Sequence, residues 1–211
     1  MGQGRFITLE GGEGAGKSTH ARRLSARLGE EGYGVVQTRE PGGSPEAEAI
    51  RTLLVTGEVD RWSSNAEALL NYAARDQHLR NTIRPALKQG QWVVSDRFSD
   101  STRAYQGVTG GADMALIDHM ERVVVGPTRP DLTIVFDLEA REGLSRAGKR
   151  PDDHDEHRFE RKGLAFHERL REAFLAIAEA DPERCVVVDA TAPVDEVAET
   201  VWQAVASRLI A

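Results

Sequence analysis

Five short, mostly apolar segments are spaced along the chain, at residues 6–9, 35–38, 92–95, 132–136 and 185–188. Their β-branched and aromatic side chains are typical of strands that are buried on both faces. Longer stretches with a helical spacing of apolar residues separate these segments. Strands that alternate with helices predict a three-layer α/β fold, in which a five-stranded parallel sheet carries helices on both faces.

Two of the intervening stretches have the clearest helical pattern. Between Phe166 and Ile177, large apolar residues recur at spacings of four, four and three, which predicts a helix over residues 164–179. A second helix is predicted to begin at Ser64, because Ser64 and Glu67 have the spacing of a capping box. The sequence contains no internal repeat, low-complexity tract or linker. We therefore expect residues 1–211 to form a single domain.

The composition is that of an ordinary globular protein, with 40% hydrophobic and 29% charged residues. A formal charge of −7 excludes the overall basic field on which nucleic-acid binding relies. No apolar stretch is long enough for a signal peptide or a membrane span, and the single cysteine, Cys185, excludes an internal disulfide. We expect a cytoplasmic protein with no nucleic-acid partner and no membrane partner.

The segment at residues 148–157 differs from the rest of the chain, because charged residues crowd it and it has no large apolar side chain. Such a segment cannot pack as core. It is either a solvated surface loop or a mobile lid over a binding site, and a lid would extend over about residues 146–158.

A glycine-rich motif follows the first predicted strand. Residues 11–18 match G-x-x-x-x-G-K-[ST], and a helical pattern comes directly after them. In such a loop the backbone N–H groups point at phosphates, Lys17 reaches the β- and γ-phosphates, and the Ser18 hydroxyl ligates Mg²⁺. A glycine-rich turn before a helix is the plainer alternative, but the strand, loop and helix together favour a nucleoside triphosphate site.

An acidic residue at the end of another strand would help to hold the metal, and two candidates exist, Asp96 and Asp137. Neither is followed by the glutamate of a motor-type ATPase, and the chain has no N-K-x-D guanine-reading motif. Arg97 directly follows Asp96, which would bring a cation and a carboxylate together at the carboxyl edge of the sheet, where ligands of α/β proteins bind. We therefore prefer Asp96 as the second metal-site residue, beside Ser18.

Several arginines lie near the predicted strand ends or the charged segment. Arg39, Arg75 and Arg97 belong to the first group, and Arg146 and Arg150 flank the charged segment. Most surface arginines are only solvated charges. Phosphoryl transfer, however, needs cations around a transition state that spreads negative charge, and a chain acting alone must supply them itself.

Taken together, these motifs resemble the thymidylate kinase family. The resemblance covers essentially the whole chain and includes F-I-T-L-E-G-G-E-G-A-G-K-S-T at 6–19, T-R-E-P-G-G at 38–43, Y-A-A-R at 72–75, D-R-F at 96–98, A-Y-Q-G at 104–107, R-P-D-L-T at 129–133, R-F-E at 158–160 and D-A-T at 189–191. It implies a P-loop kinase that phosphorylates dTMP to dTDP with ATP and Mg²⁺ in dTTP biosynthesis. It also implies a homodimer whose substrates are the small molecules ATP and dTMP.

The resemblance assigns the glycine loop to ATP and residues 189–191 to the border of the adenine. With position 14 a glycine, the chain resembles the members that carry their catalytic arginine in the lid, which implies catalytic roles for Lys17, Arg97, Arg146 and Arg150. The ATP-binding residues implied are Gly11, Gly12, Glu13, Gly14, Ala15, Gly16, Lys17, Ser18 and Thr19.

For dTMP, the resemblance implies that Arg97 binds the phosphate with Arg39 nearby and that Arg75 reads the thymine edge. Tyr105 would crowd the 2′ position of the sugar, and Glu13 would accept a hydrogen bond from the 3′-hydroxyl. The complete set of implied dTMP-binding residues is Glu13, Arg39, Asn71, Arg75, Arg97, Ser101, Tyr105 and Gln106.

The sequence departs from the family pattern in two places. Asn71 stands where the family usually has a phenylalanine that stacks on thymine, and residues 148–155 replace a short R-G-x-x-D-R segment. Two rival functions remain open: a kinase for another small acceptor on the same fold, and a nucleotide-binding module that switches without turnover. A second nucleotide pocket around Arg97 and Tyr105 would argue against the switch.

Overall fold

The computed structural model describes residues 4–149 and 158–210. Its five parallel strands form one sheet in the order β2-β3-β1-β4-β5. The strands are β1 (Phe6–Gly11), β2 (Val35–Arg39), β3 (Trp92–Asp96), β4 (Leu132–Asp137) and β5 (Cys185–Asp189). All five predicted strands are confirmed, and each extends one or two residues beyond its apolar run.

Helices cover both faces of the sheet. The α-helices are α1 (Lys17–Glu30), α2 (Pro45–Val55), α3 (Ser64–His78), α4 (Arg84–Lys88), α5 (Ser99–Thr102), α6 (Met114–Met120), α7 (Ala140–Ala147), α8 (Leu164–Ala180) and α9 (Val194–Val205). Four π-helical segments (Leu79–Ile83, Arg103–Val108, Glu121–Val125 and Ala206–Ile210) and a 3-10 turn (Glu160–Lys162) complete the description. None of the helices in the described residues is long and apolar enough to cross a bilayer.

The core is divided by the sheet. On one face, Leu24 and Leu28 of α1 pack with Val201 of α9 against β1 and β4. On the other face, one cluster gathers around Phe6 and Phe98, whose rings meet edge to face at 4.9 Å, and another gathers around α8. The predicted helix at 164–179 is confirmed as α8. Cys185 is buried and free in the α8 cluster, where burial raises its pKa to about 11, so it is a core residue.

Two details of the predicted fold are wrong. The edge strands β2 and β5 are not buried on both faces, since each has only one neighbour in the sheet, and Val187 is 46% exposed. The predicted N-cap of the second helix is also displaced by one residue. Ser63 is the N-cap of α3, and its side chain accepts from Ala66 N, while Glu67 lies one position beyond the capping site and is buried.

Candidate active site

The glycine loop joins β1 to α1 at the carboxyl edge of the sheet. Gly14 has φ +67° and Gly16 has φ +89°, conformations that other residues rarely adopt. A Cβ atom on Gly14 would lie 2.0 Å from the carbonyl oxygen of Gly143, so only glycine allows the loop to rest on α7. Lys17 begins α1 and donates to Gly12 O at 2.6 Å across the loop. The loop therefore has the strand, turn and helix geometry of an anion cradle.

A serine and an aspartate meet beside this loop. The Ser18 hydroxyl hydrogen-bonds to the Asp96 carboxylate at the end of β3. The rival candidate, Asp137, is held by Arg171 through two hydrogen bonds of 2.6 and 3.1 Å. The described residues contain no cluster of three or more His, Cys, Asp and Glu side chains that could hold a metal. One hydroxyl and one carboxylate fit Mg²⁺, which keeps several waters and is completed by substrate phosphates.

Arg97 follows β3 in a strained conformation. Its φ of 71° is the only positive value at a non-glycine position among the described residues. Hydrogen bonds hold the turn, because Arg97 N donates to Leu9 O at 2.9 Å and Ser95 Oγ donates to Arg97 O at 2.7 Å. The guanidinium then reaches Gly11 O and Ser101 Oγ. Backbone strain of this kind persists where the surroundings enforce it, and it is concentrated at functional sites.

The second guanidinium nitrogen of Arg97 joins a three-membered polar cluster. It donates to Glu13 Oε1 at 3.1 Å and to the Tyr105 hydroxyl at 2.9 Å, and that hydroxyl donates to Glu13 at 2.6 Å. Burial alone would raise the pKa of Glu13, but Arg97, Lys17 and the Tyr105 hydrogen bond lower it to about 2. Burial and the nearby Arg97 lower the pKa of Lys17 to about 8. The cluster therefore keeps a carboxylate and a guanidinium ionised beside the phosphate loop.

A cleft of about 330 Å³ opens next to this cluster, within the size range of small-molecule sites. It brings together most of the predicted site: Glu13, Lys17, Ser18, Arg39, Asn71, Asp96, Arg97, Ser101, Tyr105 and Gln106. Seven further residues line it that the sequence did not single out for the site: Glu40, Pro41, Arg51, Val55, Thr102, Phe159 and Glu160.

Comparison with known proteins supplies the family. The family model described as Thymidylate kinase matches residues 9–201. The chain belongs to the thymidylate kinase family. A thymidylate kinase of Caulobacter vibrioides is 56% identical over 209 residues, covering 99% of each chain, and one of Bradyrhizobium sp. strain BTAi1 is 52% identical over 99% of this chain and 92% of its own. The crystal structure of thymidylate kinase from Ehrlichia chaffeensis superposes with a TM-score of 0.79 at 32% identity, covering 97% of this chain and all of that one.

Within this thymidylate kinase fold, Arg75 lies behind the cleft wall and does not line it. The side chain is 2% exposed and donates to Glu40 at 2.8 Å, to Phe98 O at 3.1 Å and to Thr102 Oγ1 at 3.0 Å. Glu40 is also held by His78 at 2.9 Å, so two buried side chains behind the cleft wall hold the T-R-E-P-G-G motif in place. Arg75 Nη1 is buried and has no hydrogen-bond partner in the described residues. A buried donor left in this state costs free energy, because it has lost its water without gaining another partner.

Asn71 lines the cleft, as expected from the sequence, and its Nδ2 donates to Glu67 O at 2.9 Å. The neighbouring Tyr72 does not supply a ring to the cleft, because it is buried and its hydroxyl donates to Glu121. Phe159 does line the cleft, and its ring meets that of Tyr105 edge to face at 5.6 Å. Phe159 belongs to the R-F-E motif, but the sequence alone gave no reason to place its ring in this cleft.

Of the two lid arginines, only Arg146 lies in the described residues; Arg150 lies outside them. Arg146 is on α7, where it donates to Ala190 O at 3.1 Å and to Glu142 at 2.6 Å. Its guanidinium therefore contacts residues 189–191, the segment expected to border the adenine, and it is not among the described residues that line the cleft. Most of the predicted lid, including residues 150–157, is likewise outside the described residues.

Proposed function

We propose that this cleft transfers the γ-phosphoryl group of ATP to the phosphate of dTMP, giving dTDP and ADP. As a member of the thymidylate kinase family, the chain is a transferase that phosphorylates dTMP to dTDP. The acceptor phosphate oxygen is already a competent nucleophile, so the protein mainly positions the substrates and neutralises charge. The roles of individual residues, given below, are part of the proposal.

Arg97 carries the proposal. Its guanidinium is fixed by four partners between the phosphate loop and the cleft, in a turn whose strain the surroundings maintain. A planar, preorganised fork of this kind suits the acceptor phosphate, and the exposed Arg39 at the end of β2 lies on the same cleft. A nucleotide switch without turnover has no use for a second anion site beside its triphosphate loop.

The Tyr105 and Glu13 pair supports a deoxyribose specificity. The Tyr105 ring packs against Phe159, Phe166 and Phe174, with centroids 5.6 to 6.2 Å apart. Its hydroxyl is held by one accepted and one donated hydrogen bond. A ring fixed in this way cannot move aside to make room for a 2′-hydroxyl. Glu13, ionised at neutral pH because its pKa is about 2, can accept from a sugar hydroxyl.

On the donor side, residues 11–19 would hold the ATP phosphates, and Lys17 would meet the β- and γ-phosphates. We assign Ser18 and Asp96 to Mg²⁺, since their side chains meet beside the loop. When bound, the ion would neutralise charge on the phosphate oxygens. Lys17 and Arg97 act as catalytic groups next to the transferred phosphoryl group, and we retain Arg146 and Arg150 as the candidates for the additional arginine.

The domain organisation, the location and the partners complete the proposal. We infer one domain over residues 1–211, because one sheet contains every described strand. A free buried cysteine and an acidic chain fit a reducing cytoplasm and small-molecule substrates, without nucleic acid or membrane partners. These features agree with a role in dTTP biosynthesis.

A homodimer is supported by the outer face of α3. Ala66, Leu69, Leu70 and Ala73 follow helical spacing on the side of α3 that is not buried, and Leu69 is 47% exposed. Exposed apolar stripes of this kind mark interaction surfaces. Leu69→Glu should convert a sedimenting dimer into a monomer, whereas an unchanged sedimentation coefficient would exclude this face.

Release of ADP with a panel of monophosphate acceptors tests the function. We expect turnover with dTMP and Mg²⁺-ATP, weaker turnover with dUMP, and little with dCMP or shikimate. A preference for another acceptor would favour a different small-acceptor kinase, and nucleotide binding without acceptor-dependent ADP release would favour a switch.

A further inference from the structure

The side chain of Arg158 is completely buried and makes four hydrogen bonds. It donates to the carbonyl oxygens of Leu54, Glu58 and Val59 at 2.7 to 3.1 Å and to Glu67 Oε1 at 2.5 Å. The three carbonyls lie in the last turn of α2 and the loop after it, where helix carbonyls lack partners within the helix. Arg158 therefore fixes the end of α2 to the start of α3.

Glu67 is the partner of Arg158 and is itself only 2% exposed. Its other oxygen accepts from Gln106 Nε2 at 3.0 Å, and Lys162 Nζ lies 3.9 Å away. A buried carboxylate needs such partners, because desolvation strongly penalises an unpaired charge. The pair is thus fully engaged, and none of its contacts is explained by the roles proposed above.

The contact with Glu67 also sets the orientation of the Gln106 amide. A carboxylate accepts hydrogen bonds and cannot donate them, so the Gln106 NH₂ group must turn toward Glu67. The amide oxygen is then the atom left for another donor. Because Gln106 lines the cleft, that oxygen is available to an N–H group of a bound pyrimidine.

Several parts of the acceptor wall depend on the same ion pair. Phe159 and Glu160 line the cleft and directly follow Arg158, and Val55 lines it at the end of the helix that Arg158 caps. Asn71 lines it one helical turn after Glu67, whose carbonyl accepts its amide. The walls from α2, α3 and the segment after residue 157 therefore meet at Arg158 and Glu67.

We propose that Arg158 and Glu67 are a positioning pair that shapes the acceptor side of the cleft, orienting the Gln106 amide and holding Phe159 against the substrate. Neither residue is required to touch dTMP. The inference rests on the proposed function for the identity of the acceptor. Loss of the pair should weaken acceptor binding and leave ATP binding and the chemical step nearly intact, because none of the donor-side residues that the structure describes contacts the pair.

Glu67→Gln is the first test, because glutamine keeps the shape but removes the charge and replaces one accepting oxygen with an NH₂ group, which cannot accept from both Arg158 and Gln106. The KM for dTMP should rise about tenfold, while kcat and the KM for ATP should stay within about twofold. Asp131→Asn is the matched control. It removes a carboxylate that holds Arg5 and the Phe6 amide at the amino ends of the strands, on the side of the sheet away from the cleft. This variant should lower the melting temperature without changing either KM.

A double variant, Arg158→Met with Glu67→Met, separates positioning from stability. Removing both charges leaves no unpaired buried ion, but the carbonyl oxygens of Leu54, Glu58 and Val59 lose their donor, so the melting temperature should fall by less than in Arg158→Met alone. If the pair positions the acceptor wall, the raised KM for dTMP persists in the double variant at assay temperatures well below its melting temperature. A wild-type KM in the double variant, or an equal rise in both KM values, would overturn the inference.

The wild-type acceptor panel keeps the two proposals distinguishable. If the wild type prefers an acceptor other than dTMP, the proposed function fails, and the same variants are then assayed with the preferred acceptor. A selective rise in the KM for that acceptor would still support the positioning pair.

Discussion

The donor half of the cleft and the acceptor half hold their charges by different means. In the donor half, Lys17 bonds to Gly12 five residues away, within one loop and the first turn of one helix. In the acceptor half, two carboxylates have partners far away in the sequence: Tyr105 is 92 positions from Glu13, and Arg158 is 91 positions from Glu67. A local loop supplies most of the first half, to which the end of β3 adds Asp96, and tertiary packing makes the second.

This difference predicts which kinetic constant changes when each half is altered. Donor-side groups meet the phosphates, where charge develops during transfer, so their removal should reduce kcat. Acceptor-side groups hold the nucleoside, which changes little during the reaction, so their alteration should mainly change the KM for dTMP. The following variants test this division.

Lys17→Ala should have the largest effect. One preorganised donor at a developing charge is worth about 3–4 kcal/mol, so kcat should fall by about 10² or more while the fold stays intact. Lys88→Ala, at an exposed position at the end of α4, is the matched lysine control. Near-normal kcat in Lys17→Ala, measured by ADP release, would remove the glycine loop from the chemistry.

Tyr105→Ala should have the next largest effect, on sugar selectivity. Packing excludes a hydroxyl by about 1–3 kcal/mol, so the ratio of kcat/KM for dTMP to that for ribo-TMP should fall by about 10-fold or more. Tyr105→Phe keeps the ring and removes only the hydroxyl, so it should retain the wild-type ratio. Equal ratios in the alanine and phenylalanine variants would refute the steric role of the ring.

Glu10 lies at the junction of the two halves and gives a pH test. Its carboxylate accepts from Phe98 N, Ser101 N and Ser101 Oγ, and burial and the nearby Asp100 raise its pKa to about 7, despite the opposing effect of Arg97. Between pH 4.5 and 7 the folded state therefore binds more protons than the unfolded state, so this group makes stability fall as pH rises through that window.

Glu10→Gln should flatten that part of the stability profile by about 1–3 kcal/mol, since one pKa unit corresponds to about 1.4 kcal/mol. Glu13, whose pKa is lowered to about 2, works in the opposite sense: its contribution is present above pH 4.5 and is lost as pH falls toward 2. Urea unfolding at several pH values measures both. An unchanged slope between pH 4.5 and 7 in Glu10→Gln would assign that slope to other groups.

The same division explains what could be predicted from the sequence. The five strands and the glycine loop follow from local patterns. The choice of Asp96 over Asp137 follows from the adjacent Arg97, since β3 and β4 are both parallel neighbours of β1. The Y-A-A-R motif singled out Arg75, but nothing in the sequence indicated that Glu40 would hold its side chain behind the cleft wall. The spacing of Glu67 from Ser64 predicts a capping residue, and only the packed structure brings Arg158 to it.

The smallest expected effect concerns Asn71, the polar residue on the wall where an aromatic side chain was expected. A ring added there would gain an offset contact with the base worth about 0.5–1.5 kcal/mol, a factor of about 2 to 13 in affinity. The base lies far from the transferred phosphoryl group, so the contact should be equal in the ground and transition states. Asn71→Phe should then lower the KM for dTMP several-fold and leave kcat and the KM for ATP nearly unchanged.

The position of Phe159 supplies the competing outcome for this variant. Phe159 already lines the cleft, so if its ring covers the same face of the base, a phenylalanine at position 71 would overpack the pocket and raise the KM for dTMP. Combining Asn71→Phe with Phe159→Leu decides between the two. Additive effects on KM would mean that the rings bind independently, whereas relief of a raised KM by Phe159→Leu would mean that they compete for one face.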